Sequence, residues 1–85
     1  MKRYSVEIAR LADRQIEKLP KRDKQKIIDK IGSLAEDPRP HGYKKLEYYT
    51  DYFRVRVGNF RIIYQIEDVI RIVTVAQVTD RRDAY

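Results

Sequence analysis

The run Tyr52-Phe53-Arg54-Val55-Arg56-Val57-Gly58-Asn59-Phe60-Arg61-Ile62-Ile63-Tyr64 constrains the chain more than any other segment. Strict alternation marks a half-buried strand, and a Gly-Asn pair between two such strands marks a two-residue hairpin turn. If Val57 and Phe60 flank the turn, Arg56 stands opposite Arg61, and Arg54 lies opposite Ile63 and diagonal to Arg61. Phe53, Val55, Val57, Phe60, Ile62 and Tyr64 then fill the other, core-facing side. Like charges directly across a strand pair cost some tenths of a kcal/mol, so folding alone gives no reason for the arrangement. An anion bound there would supply one, and this favours an anion site over two solvated strand arginines.

The rest of the chain limits how this hairpin can be covered. Arg3 to Ile8 alternates and reads as a short opening strand. Leu11, Ala12, Ile16 and Leu19 recur at helical spacing until Pro20, predicting a first helix over 10–19. Ile27, Ile28, Ile31, Leu34 and Ala35 form the stripe of a second helix over 21–36, whose N-terminal part carries Lys21, Arg22, Lys24, Lys26 and Lys30. Asp37-Pro38-Arg39-Pro40-His41-Gly42 is dense in helix breakers and reads as a loop. Lys44 to Glu47 enters the sheet, Tyr48 to Asp51 connects it to the hairpin, and Val69 to Val78 is a last, central strand, apolar on both faces. The expected fold is α+β: two N-terminal helices on one face of a small, mainly antiparallel sheet, in the order β-α-α-β-β-β with a short C-terminal tail. The opposite sheet face stays open, concave and basic.

Composition narrows the function. Eighty-five residues suit one domain over 1–85, near the lower size limit for a single core. No cysteine and one histidine leave little for a metal site, and no cofactor motif is present, so neither metal nor cofactor is expected. With no signal-peptide block and no apolar run near the roughly 20 residues that span a bilayer, a cytoplasmic, membrane-free protein is expected. A net charge of +6 points to a polyanionic partner, and seven tyrosines without tryptophan tilt the choice toward nucleic acid.

With cysteine absent and histidine single, the chemistry left to this chain suits a substrate that carries its own nucleophile. RNA is such a substrate, because its 2′-hydroxyl neighbours the scissile phosphate. Fixed guanidinium groups can stabilise the phosphorane, but with a pKa above about 12 they are poor proton acceptors.

Asp37-Pro38-Arg39-Pro40, the Lys44-Lys45-Leu46 run, the Tyr52 to Tyr64 hairpin and the closing Arg81-Arg82-Asp83-Ala84-Tyr85 together resemble the RelE/ParE superfamily of bacterial toxins, nearest its RelE branch of ribosome-dependent mRNA endonucleases. The resemblance implies a RelE-like microbial RNase fold and a type II toxin that cleaves mRNA in the ribosomal A site. Attack by the 2′-hydroxyl would leave a 2′,3′-cyclic phosphate and a 5′-hydroxyl. It also implies a RelB-like antitoxin in a hetero-oligomeric complex. Arg61 matches the arginine that stabilises the transition state, and Arg56 a lysine that balances phosphate charge. Arg81 matches the arginine assisting the leaving group, and Tyr85 the C-terminal tyrosine that orients or stacks on substrate. Lys44, Lys45, Lys24, Lys26 and Arg82 would contact RNA.

Two positions depart from that pattern. Arg54 stands where the RelE branch has a lysine acting as general base, and Asp80 where many relatives carry histidine or lysine. Arg54 would then lower the hydroxyl's pKa while Asp80 or a water accepts the proton. His41, in its Pro/Gly loop, reads as solvent exposed and is not expected to be the missing base. The alternatives are a ParE-like gyrase poison without nuclease activity and a non-catalytic RNA-binding module.

Overall fold

The computed structural model describes residues 3–80. Strand β1 (Ser5–Ile8) leads into helices α1 (Arg10–Glu17) and α2 (Lys21–Ser33), followed by β2 (Lys44–Lys45), β3 (Tyr52–Val57), β4 (Phe60–Glu67) and β5 (Ile72–Asp80). The five strands form one sheet in the order β1-β5-β4-β3-β2. All neighbours are antiparallel except β1 and β5, which run parallel with Ser5 beside Ile72 and Ile8 beside Val75. The α+β arrangement matches the expectation, and the parallel closure of the first strand on the last is an addition to it.

The helices end differently from the sequence reading. Helix α1 stops at Glu17 rather than at residue 19, and α2 at Ser33 rather than at 36. Past Ser33 the backbone tightens into three-residue steps, with Ala35 N–H donating to Gly32 O and Glu36 N–H to Ser33 O. Ile27, Ile31 and Leu34 share the buried face, whereas Ile28, one position round the helix, is exposed. The last strand begins at Ile72, not Val69. Val69 and Ile70 are exposed in the β4–β5 connection, and Arg71 turns the chain into β5 with a φ of 55°.

The core fills one face of the sheet. Val55, Ile62, Tyr64, Ile66, Val73, Val75 and Val78 face Ala12 and Ile16 of α1 and Ile27 and Ile31 of α2, with Phe53, Val57 and Phe60 packed at the margin. Full burial of each aliphatic side chain contributes about 1.5–3 kcal/mol before chain entropy is counted. A bulge between β4 and β5 lets this face persist: Ile63 pairs with Gln77 but Tyr64 with Val75, which leaves Ala76 as the extra residue. Val73, Val75 and Val78 therefore all point to the helices despite their uneven spacing. Beyond the end of β1 the outer edge of β5 is covered by α1, where Gln15 Oε1 accepts the Val78 N–H at 2.7 Å.

The α2–β2 loop is fastened to the sheet by polar contacts. The buried Tyr64 hydroxyl donates to Pro38 O at 2.8 Å. Arg39 forks onto Asp68 at 3.1 and 2.9 Å, and its guanidinium lies 5.7 Å from the centre of the Phe53 ring. Tyr4, just ahead of β1, donates to the same carboxylate at 2.6 Å, so the loop, the lead-in to the first strand and the β4–β5 connection meet at Asp68. Burial pushes the Tyr64 phenol up to about 12, keeping it a donor at neutral pH. The Arg39 fork, and after it the Tyr4 hydroxyl, hold the Asp68 carboxyl down at about 2.

Replacing Tyr64 with Phe strands the Pro38 carbonyl and should cost about 1–3 kcal/mol of stability, read by urea denaturation. Because the Asp68 value is lowered on folding, its contribution is complete above the ordinary value of 3.8 and lost as pH falls toward about 2. Asp68→Asn should accordingly flatten the acid limb of a Tm-against-pH curve in that window. An unchanged limb would show that the contact does not stabilise the fold.

Candidate functional site

The β3–β4 hairpin has the register that its alternation demands. Val57 pairs with Phe60, Arg56 with Arg61, Val55 with Ile62 and Arg54 with Ile63. Gly58 takes a φ of 59°, which glycine adopts without strain at the first central position of a two-residue turn. With Val55, Ile62 and Tyr64 buried against the helices, Arg54, Arg56 and Arg61 are left on the open face. Among the described residues neither Arg56 nor Arg61 is in an ion pair. Thr79 lies across from Arg61 on β5 and shares that face.

Strand β2 is only two residues long and covers β3 only at Phe53 and Arg54. Past it, the edge of β3 opens into a groove lined by Lys30, His41, Gly42, Lys44, Arg54 and Arg56. Lys30 comes from α2, His41 from the anchored loop, and Lys44 from opposite Arg54. Four cationic side chains from three elements thus converge beside the Arg56–Arg61 pair. A phosphodiester is the matching ligand, since guanidinium groups fork onto its oxygens and ammonium groups add point charge. Lys30 was hidden within a lysine-rich helix, and only the packing of α2 against β3 separates it from its neighbours.

The remaining predicted residues are placed less uniformly. Lys26 lies beside the hairpin tip, in a hollow with Asp23, Gly58 and Asn59. Lys45 pairs with Phe53 and so alternates to the side away from Lys44 and the arginines. Lys24 is half-buried on α2 and lines neither hollow. Arg81, Arg82 and Tyr85 lie outside the described residues.

Asp80 corrects an expectation. It pairs with Phe60, so its side chain takes the helix-facing side of β5, where it lines a hollow with Gln15, Lys18, Leu19, Pro20 and Asp23. The sheet separates it from Arg54 and Arg56, and it is not placed to take a proton from a substrate held there. The open face is also less uniformly basic than its three arginines suggest. Away from the hairpin tip it becomes an apolar hollow of Leu11, Leu46, Tyr49, Tyr52, Ile63 and Ala76, in which the Tyr49 and Tyr52 rings meet edge to face at 6.1 Å. The tyrosines thus pack partly on one another and partly line the open surface.

No helix among the described residues is long and apolar enough to cross a membrane. The sequence matches the family model described as the ParE toxin of type II toxin-antitoxin system, parDE, over residues 6–85. It is 29% identical to toxin RelG of Mycobacterium tuberculosis over 83 residues, covering 96% of this chain and 95% of that protein. Its fold superposes on the toxin–antitoxin complex RelBE2 of Mycobacterium tuberculosis with a TM-score of 0.84 and 29% identity, covering 98% of this chain and 97% of the other. For the archaeal RelE–RelB complex of Pyrococcus horikoshii the TM-score is 0.83 at 25% identity, over 99% of this chain and 100% of that one. With fold, hairpin and nearly the whole sequence in agreement, this chain belongs to the ParE toxin family of type II toxin–antitoxin systems, within the RelE/ParE superfamily.

Proposed function

We propose that this toxin is a ribosome-dependent endoribonuclease that cuts mRNA in the A site by attack of the 2′-hydroxyl on the adjacent phosphate. The observation that carries the reading is the in-register pair Arg56 and Arg61, flanked by Arg54 and Lys44 on the side of the sheet away from the helical core. A phosphate seated between them gains two guanidinium partners whose attraction grows as charge accumulates on the equatorial oxygens. That difference between ground and transition state is what accelerates the reaction. Attack forms the O2′–P bond and breaks the P–O5′ bond, giving a 2′,3′-cyclic phosphate and a 5′-hydroxyl. Arg81 and Tyr85 are assigned to the leaving group and to substrate orientation by their match to the RelE pattern. Lys26, Lys30 and Lys44 would add contacts along the RNA backbone, and Lys24, Lys45 and Arg82 are assigned to ribosomal RNA.

The partner in this reading is a RelB-like antitoxin, since the similar structures from Mycobacterium tuberculosis and Pyrococcus horikoshii are toxin–antitoxin complexes. An acidic segment of such a partner would complement Arg54, Arg56 and Arg61 and block the substrate face. Expression of the toxin alone should arrest translation, and co-expression of the antitoxin should restore it. Unaltered translation on expression of the toxin alone would remove the main support.

The decisive assay is primer extension on mRNA undergoing translation in the presence of the purified toxin. Cuts within codons are expected, with Arg61→Ala slowing cleavage roughly 10²–10³-fold, the scale for losing one preorganised donor. Intact message accompanied by double-strand DNA breaks would instead assign the protein to gyrase poisoning, the activity linked with the ParE branch. Intact message and intact DNA would leave RNA binding alone.

A further inference from the structure

Among the described residues, the arginine face is rich in phosphate-binding cations and poor in groups that accept a proton. Guanidinium groups are poor proton acceptors and ammonium groups carry no lone pair, so Arg54, Arg56, Lys44 and Lys30 suit holding the phosphate better than taking the proton that the 2′-hydroxyl must lose. Asp80 is on the far side of the sheet, and Asp68 is engaged by Arg39 and Tyr4. Among the described residues lining the groove, only the imidazole of His41 offers a side-chain lone pair on a group suited to accept and release a proton.

The backbone around His41 is held in place. Pro40 to Tyr43 form a tight turn closed by the Tyr43 N–H donating to Pro40 O at 3.0 Å. Gly42, third in the turn, has a φ of 90°, a position that this kind of turn reserves for glycine. The segment just before it is tied down by the Tyr64 hydroxyl on Pro38 O, the Arg39 fork on Asp68 and the contact of Arg39 with Phe53. Tyr43 in turn lies against Phe53, with ring centres 5.9 Å apart. His41 is therefore exposed, as its Pro/Gly loop suggested, and sits on a fixed piece of backbone where it lines the groove beside Arg54 and Arg56.

We propose that His41 is the general base of the RNA cleavage described above, on which this inference rests. With the scissile phosphate between Arg56 and Arg61, the ribose on its 5′ side extends over Arg54 into the groove. There an unprotonated imidazole nitrogen removes the 2′-hydroxyl proton as the O2′–P bond forms. The electron pair of the breaking P–O5′ bond leaves on the 5′ oxygen, which takes a proton from water, and the imidazolium returns its proton to solvent. Arg54 and Lys44 stabilise the anionic oxygens. No metal ion or added co-reactant is needed for the balance.

The test is single-turnover cleavage on programmed ribosomes by wild-type, His41→Gln and His41→Ala proteins, with unchanged Tm as the folding control. His41→Gln should lower the cleavage rate roughly 10²–10⁴-fold while ribosome affinity stays near the wild-type value. Added imidazole should restore part of the rate to His41→Ala but none to Arg61→Ala, a pattern that a structural role for His41 would not produce. Undiminished cleavage by His41→Gln, or a loss that imidazole does not relieve, overturns the assignment. A wild-type protein that does not cut at all removes the nuclease reading itself and this inference with it, so the two failures are distinguishable.

Discussion

Everything at the proposed site depends on one register. Arg56 meets Arg61 across the hairpin only because Val55, Ile62 and Tyr64 are buried on the other face. A slip of one residue would send the arginines into the helices and the aliphatic side chains to solvent, at several times the cost of the like-charge contact. The core thus overrides a local repulsion of some tenths of a kcal/mol and holds together charges that would separate on a looser scaffold. Such a preorganised cluster need not be assembled when a phosphate arrives, which is the condition for electrostatic stabilisation at low reorganisation cost.

The loop before β2 turns that same core into a second positioning device. Tyr64 is a core residue by packing, yet its hydroxyl reaches out of the core to Pro38 O and fixes the start of the loop. Arg39, Asp68 and Tyr4 fix the next residue, and the Pro40–Tyr43 turn follows directly. A buried phenol, an exposed carboxylate and a glycine turn therefore act in series on the backbone of His41. The exposed fork on Asp68 is the weakest element in that series, because solvent and salt screen it, whereas the Tyr64 bond is shielded.

Within the Overall fold, much was written locally. The alternation of residues 52–64 specified the hairpin, its turn and its two faces, and the 3.6-residue stripes specified two helices. Misreadings came where local pattern has no knowledge of neighbours. Ile28 matches a helical stripe as well as Ile27 does, but a narrow helix–sheet contact covers only one of them. Val69 and Ile70 read as strand, yet the chain needs them to turn before β5 can pair with β4. The bulge at Ala76 was equally invisible, because adjacent apolar residues, Ile72-Val73 and Val75-Ala76, conceal where the alternation is interrupted.

For the site, the sequence by itself determined the arginine pair, since hairpin register follows from contiguous residues whose turn and periodicity are both on view. Only the tertiary structure decided which other groups join it. Lys30 and His41 are brought to Arg54 and Arg56 by the packing of α2 on β3 and by the shortness of β2. Asp80 is sent to the opposite side by its pairing with Phe60 across the bulged β4–β5 ladder. The physical reason is common to all three. A strand's alternation is a local property, but the side of the sheet and the edge at which a distant segment arrives are set by non-local pairing and burial, which no short stretch of sequence encodes.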